Sequence, residues 1–423
     1  YGDLPESLFT PNSLERLSLR ANFGGQIVEN FNFNARVGWV TSEVQLPNND
    51  NNVLGIIPSA YLGTSDGTED GGYGYGFFLP SEVNWQDVQQ EVDRFTGSAQ
   101  FDYQPFQWLS GRATIGLDQV TRTDLEMVPR ERVIFGGTLP LGQRQVNSAR
   151  ITNFTFDANV TSNFQLTDQV TSRTTVGTQY FTDRFTRADA FGADIVTGCT
   201  SLQCAAAEFD IFETTTESRT LGVFIDQEFG LNDRLFVNAA VRLDDNSAFG
   251  ADFDAIVYPK LGASWVISEE AFFPEIPYTS SLRLRAAWGA SGAQPGPTDA
   301  LRFFDATQVT VDGRDVGGVT IGELGNPELE PEQSSEYEVG FDWSFLEDRV
   351  DFNVTYYDKT TTDLLIEQPL PPSGGVGDDR FVNLGETNTN GWEMGLNARL
   401  LESPQYLWDL GLQYATNNNE LID

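Results

Sequence analysis

The chain has 423 residues, enough for two or three ordinary domains or for one large β-architecture. It carries 25 basic residues against 62 acidic ones, a net charge of −37 that repels phosphate backbones and argues against nucleic-acid binding. Histidine is absent, which removes the usual neutral-pH general base, the Ser-His and Cys-His nucleophile pairs, and imidazole metal ligands.

No window reaches the roughly 18–20 apolar residues of a membrane helix. The chain starts at Tyr1 without a signal peptide and reads as a piece of a longer precursor. Along the chain, helical periodicity is scarce and period-2 alternation is widespread.

The first long polar stretch, 43–87, holds "GGYGYGFFLPSEVNW". Tyr73, Tyr75, Phe77, Phe78 and Trp85 are its candidate substrate contacts, because aromatic faces stack on sugar rings and pack against peptide side chains. The plainer alternative is a long loop packing on itself. Next comes a strand with Leu109, Gly111, Ala113, Ile115 and Leu117 on one face and Arg112, Thr114, Gly116 and Asp118 on the other. After a polar stretch at 123–148, "FQLTDQV" (164–170) sets a polar pair with Asp between two apolar strand ends, the pattern of a tight hairpin.

"CTSLQC" follows in the polar stretch 188–212. A lone CxxxxC pair without histidine is a poor zinc site, so Cys199 and Cys204 read as a local disulfide in an oxidising compartment. The hairpin pattern returns at "FGLNDRL" (229–235) and "FLEDRV" (345–350). Further long polar stretches lie at 293–332 and 367–385.

Counting alternating runs predicts about fourteen strands, many longer than the five or six residues usual in soluble sheets. Long strands with tight turns at one end and long loops at the other predict an all-β fold: a transmembrane, antiparallel, up-and-down β-barrel of the outer-membrane type. Such a barrel closes because an open edge cannot be hydrated inside hydrocarbon.

Acidic clusters are the remaining candidates for chemistry. "NPELEPEQSSEYE" (326–338) carries Glu328, Glu330, Glu332, Glu336 and Glu338. Glu336 and Glu338 share one strand face at roughly 6–7 Å, a spacing that permits a carboxylate pair but is ordinary for solvated acids. The expectation is that the chain is not an enzyme and has no catalytic residues. "SDGTEDGG" (65–72) and "LDDNSAFGADFD" (243–254) supply hard oxygen ligands, yet neither has EF-hand spacing. The expected cofactor is none, with loop-bound calcium as the alternative to a solvated acidic loop.

Three segments carry a family resemblance. "RLDDNSAFGADFDAIVYPKLGASWVISEEAFF" (242–273), "SSLRLRAAWGASGAQPG" (280–296) and "NPELEPEQSSEYEVGFDWSFLEDRVDFNVTYYDKTTTDLL" (326–365), continued by "NLGETNTNGWEMGL" (383–396), resemble the SusC/RagA type of TonB-dependent outer-membrane transporter. The resemblance implies import of oligosaccharides or peptides, a SusD-like surface lipoprotein partner, and energy from a TonB–ExbB–ExbD complex. Family members also carry an N-terminal plug and a terminal aromatic-ending strand, which have no counterpart in 1–423, and barrels of this class close with about 22 strands. The expectation is therefore a barrel fragment, with the plug, the TonB-contacting segment and the last strands lying outside it. The alternatives are a siderophore- or cobalamin-type receptor and a passive porin or surface adhesin.

Overall fold

The structure is a computed structural model that describes residues 12–46, 56–63, 86–130, 141–249, 255–371, 373 and 379–422. The described residues form eighteen strands: β1 (Ser13–Val28), β2 (Phe31–Leu46), β3 (Asp87–Phe106), β4 (Leu109–Val128), β5 (Gln143–Thr167), β6 (Val170–Ile195), β7 (Ala205–Leu231), β8 (Leu235–Asn246), β9 (Ile256–Val266), β10 (Thr279–Ala293), β11 (Arg302–Val311), β12 (Arg314–Leu324), β13 (Glu332–Phe345), β14 (Val350–Thr362), β15 (Leu365–Pro369), β16 (Asp379–Asn383), β17 (Glu386–Glu402) and β18 (Leu407–Leu421). Among the described residues one short α-helix, α1 (Ile56–Tyr61), interrupts them. No helix among the described residues is long and apolar enough to cross a membrane.

Fourteen strands form one sheet in the order β1-β2-β3-β4-β5-β6-β7-β8-β9-β10-β13-β14-β17-β18. Each strand is bonded to its neighbour in that sequence, the up-and-down pattern expected from the alternation. The other four make two separate hairpins, β11–β12 and β15–β16, inserted between sheet neighbours. Connections after β1, β3, β5, β7 and β13 are tight, whereas those after β2, β10 and β14 are long. The hairpin signals fall where the turns form. Asn30, Asn232 and Asp233 take positive φ, a conformation Asn and Asp tolerate well. At 346–348 three consecutive residues, Leu346, Glu347 and Asp348, are left-handed. Bonds from Leu346 N–H to Tyr278 O at 2.8 Å and from Asp348 N–H to Ser280 Oγ at 3.1 Å hold them there.

The outer strand ends correct the sequence reading. The stretch 188–212 was expected to be loop, yet β6 runs 26 residues to Ile195 and β7 runs 27 from Ala205. Away from the apolar band both faces meet water, so the period-2 contrast fades while backbone pairing continues. The polar stretches 293–332 and 367–385 likewise contain the two extra hairpins.

The chain divides into two compact units. The first comprises 1–101, 114–156 and 182–217; the second comprises 102–113, 157–181 and 218–423. In the first, a small core holds Met127, Val128 and Ile195, all buried. Glu126 beside it, at the end of β4 remote from its tight turn, has its carboxyl pushed above the ordinary range by burial.

The second unit shows two aromatic rows on the apolar face. Trp108 stacks on Phe106 (5.4 Å) and Phe164 (5.1 Å) near the tight turns, where Trp343 also packs, tilted, on Phe345 (5.5 Å). Further along, Tyr356 packs on Trp392 (5.0 Å) and Tyr337 (6.3 Å). The run of β13 from Phe345 to Tyr337 spans about 26 Å along the strand at ~3.3 Å per residue. That matches an apolar band about 25 Å tall bounded by aromatic girdles. Phe106, Trp108, Phe164, Tyr337 and Trp392 of these rows, and aliphatics between them such as Leu284 and Val339, are exposed on this face. The exposure needs a non-aqueous neighbour.

Candidate functional site

Opposite the apolar face, successive strands present a polar face, and its chemistry differs between the two units. Pairing register fixes its membership. In β13 and β14, Glu336 lies opposite Lys359, Glu338 opposite Tyr357, Gly340 opposite Thr355 and Asp342 opposite Asn353. The intervening residues, Tyr337 to Phe345, are the apolar-face set.

In the second unit, three arginines on the polar face find acids. Arg112 donates to Asp102 at 2.6 Å, and Arg242 lies 2.7 Å from Asp244. Arg242 also bonds Gln179, which in turn donates to Asp157 at 2.7 Å. Arg285 sits 3.0 Å from Asp342 and donates to Thr355 Oγ1 at 3.1 Å. Arg285, Lys260, Glu228, Glu338 and Asn238 line a depression of about 260 Å³. Gly340 lies in its wall, where a Cβ would come within 2.4 Å of Val354 O, so the wall stays thin at that point.

In the first unit, Arg20 (β1) and Arg36 (β2) line a larger depression of about 660 Å³ with Thr96, Ser98, Asn153 and Thr155. Gly38 faces Thr96 there; a Cβ on it would lie 2.5 Å from Thr96 Oγ1. Asp118, which also lines the depression, is held by both nitrogens of the Arg94 fork, with Nε–Oδ1 at 2.9 Å.

The acid-rich segment 326–338 separates into two parts. Leu329 and Pro331 are fully buried, while Glu328 and Glu330 are exposed. Asn383 clamps this segment: its Oδ1 accepts from Glu330 N–H at 2.8 Å, and its Nδ2 donates to Glu330 O at 2.7 Å and Asp363 O at 2.9 Å. Glu332 Oε1 accepts the Leu365 N–H at 2.9 Å. The first acids thus belong to a packed loop junction that seats the β15–β16 hairpin, and Glu336 and Glu338 belong to the polar face.

Tyr73, Tyr75, Phe77, Phe78 and Trp85 lie outside the described residues, as do 65–72 and 250–254 of the two acidic loops. Within 243–249, Asp244 is engaged by Arg242. Among the described residues no group of three or more acids or cysteines is arranged to hold a metal ion. Cys199 and Cys204 are bridged, with Cα atoms 6.3 Å apart, in the connection between β6 and β7. Sequence reasoning missed Arg20, Arg36 and Asn383. Arg20 and Arg36 had a signal, since "RLSLRAN" and "FNFNARVGW" set them on the polar phase of their strands. Asn383 had none, because its partners lie 20 and 53 positions away.

With this geometry established, comparison with known proteins is direct. A family profile described as TonB dependent receptor-like, beta-barrel matches residues 20–421. The TonB-dependent receptor P26 of Formosa agariphila is 29% identical over 196 residues, 46% of this chain and 20% of the relative. The TonB-dependent receptor SusC of Bacteroides thetaiotaomicron is 25% identical over 215 residues, 49% of this chain and 21% of the relative. The chain thus spans about a fifth of these relatives in each alignment. Among solved structures, the RagAB peptide transporter superposes with a TM-score of 0.84 at 19% identity, over 98% of this chain and 47% of that one. The ferric citrate transporter FecA superposes at 0.56 and 12% identity, over 97% of this chain and 52% of that one. With the profile covering nearly all of it, the chain belongs to the TonB dependent receptor-like β-barrel family, is SusC/RagA-like within it, and resides in the outer membrane.

Proposed function

We propose that this chain supplies barrel wall and outer loops to a TonB-dependent importer of oligosaccharides or peptides. The observation that carries the reading is the contrast in fold similarity: 0.84 to RagAB against 0.56 to FecA, at nearly equal coverage of this chain. It favours a large-solute importer over the siderophore-type alternative. Partners in this reading are a SusD-type surface lipoprotein and the TonB–ExbB–ExbD complex. Tyr73, Tyr75, Phe77, Phe78 and Trp85 would contact substrate from the outer loop.

The reading is of a transport protein, not an enzyme, and needs no resident cofactor. Glu336 has Lys359 across the strand, and both acids share the polar face with other charged groups, a setting for solvated wall acids. Uptake of labelled neutral oligosaccharides and of peptides by cells carrying the full-length protein, with and without a protonophore, tests the proposal. Uptake that collapses with the protonophore supports it. Protonophore-insensitive uptake points to a passive pore, and uptake restricted to ferric siderophores points to the iron-receptor class. Glu336→Gln and Glu338→Gln leave uptake intact; loss of a hydrolysis with either would overturn the non-enzymatic reading.

A further inference from the structure

The connection between β9 and β10 differs from its neighbours. On the side of the sheet where the tight hairpins close, the other connections take two to four residues, and this one takes twelve, 267–278. Outer-membrane barrels turn tightly on the periplasmic side, so the segment stands at the inner leaflet. Hydrogen bonds give it a fixed shape. Glu270 N–H bonds Ile267 O at 3.1 Å, Phe273 N–H bonds Glu270 O at 3.0 Å, and Ser268 Oγ accepts from Leu282 N–H at 2.9 Å. Pro274 and Pro277 fix two further φ angles. Tyr278, left-handed at φ 68°, gives its carbonyl to Leu346 N–H in the neighbouring turn.

Both ends of the segment are tied to tryptophans of the apolar face. Register sets Trp265 opposite Leu235 and Leu284, and Trp343 opposite Leu282 and Phe352. Trp265 donates its indole N–H to Glu270 Oε1 at 3.1 Å, and Trp343 donates to Thr279 Oγ1 at 3.2 Å. Girdle indoles ordinarily sit at headgroup level with a polar partner, and here the segment takes the partner's place. Phe272 lies on Trp265, with ring centroids 5.9 Å apart, and is still 67% exposed. Ile276 and Tyr278 are exposed as well. The apolar surface of the segment is therefore continuous with the lower girdle of the band.

Charge narrows the choice of lipid. Residues 267–279 hold three acids and no base. Glu269 and Glu270 lie 3.4 and 3.9 Å from Arg234, whereas Glu275 is exposed between Pro274 and Ile276. A carboxylate at headgroup level repels a purely anionic headgroup and accepts hydrogen bonds from a primary ammonium. We propose that segment 267–278 is an interfacial lipid-binding surface for a zwitterionic phospholipid with a primary ammonium headgroup. Glu275 receives the ammonium, and Phe272, Ile276 and Tyr278 enter the boundary between headgroups and acyl chains.

The test uses the full-length protein in liposomes of phosphatidylcholine, alone or with half of it replaced by phosphatidylethanolamine or phosphatidylglycerol. A nitroxide label attached at Ala271→Cys, beside Phe272, reports depth through its collisions with oxygen and with a water-soluble nickel complex. Collisions with oxygen exceed those with nickel when the label sits at the acyl boundary. The reverse order places the segment in water, and few collisions of either kind place it under a protein partner; either result overturns the surface. Phosphatidylethanolamine should raise the melting temperature over phosphatidylcholine by about 1–2 °C, while phosphatidylglycerol does not. Glu275→Gln keeps the melting temperature in phosphatidylcholine and loses that gain. A wild type without the gain, a variant that retains it, or an equal gain with phosphatidylglycerol overturns the headgroup assignment. Neither readout involves transport, so the result stands apart from protonophore-sensitive uptake.

Discussion

The two depressions on the polar face are built from the same materials and arrive at opposite electrostatics. Around Arg285 and Lys260 the wall also carries Glu228 and Glu338, and Arg285 is tied to Asp342 and Thr355. Around Arg20 and Arg36 the neighbours are amides and hydroxyls, and Asp118 is held by Arg94. The difference teaches that net charge describes a wall poorly. A chain of −37 still presents a locally cationic hollow, because register decides which acids an arginine can reach.

The largest effect should come from breaking the two-faced wall itself. Thr355 lines the second depression, and Val354, next to it, is on the reverse face opposite Phe341 and Met394. Val354→Arg places a charge in the apolar band and should cost about 2–4 kcal/mol. Thr355→Arg should cost under ~1 kcal/mol, because its side chain enters a wet, charged hollow. Denaturant titration of the folded barrel in detergent measures both, and equal costs would mean that the faces are misassigned.

The glycines of the two hollows should respond differently to the same substitution. Gly340→Ala in the second hollow should cost about 1–3 kcal/mol, because its Cβ would come within 2.4 Å of the backbone oxygen of Val354. Asp342→Asn leaves Arg285 without its acid and should cost at most ~1 kcal/mol, because the pair is partly exposed. The smallest effect is expected at Gly38→Ala in the first hollow, where the Cβ meets Thr96 Oγ1 at 2.5 Å, the end of a side chain that can turn away. The same denaturant titration measures all three, and equal costs at Gly38 and Gly340 would erase the comparison.

Much of the architecture was legible in the sequence. "VDFNVTYY" and "YEVGFDWSF" announced β14 and β13 with the right faces, since side chains alternate along any extended backbone. The turns at 168–169, 232–234 and 346–349 were legible from their Asp and Asn residues. The outer reaches of β6 and β7 were not, because beyond the apolar band hydration of both faces removes the contrast that marks a strand. The acids of 326–338 drew attention, yet Leu329 is what the loop buries and Asn383 is what holds it.

By itself, the sequence determined an up-and-down, two-faced sheet with tight turns on one side, because those features depend on residues within a few positions of each other. Only the tertiary structure decided which charges are satisfied. Arg94 meets Asp118 at a separation of 24 and Arg242 meets Gln179 at 63, while Arg20 and Arg36 meet no acid at all among the described residues. Strand register sets those distances, and it is a property of the assembled sheet rather than of any one segment.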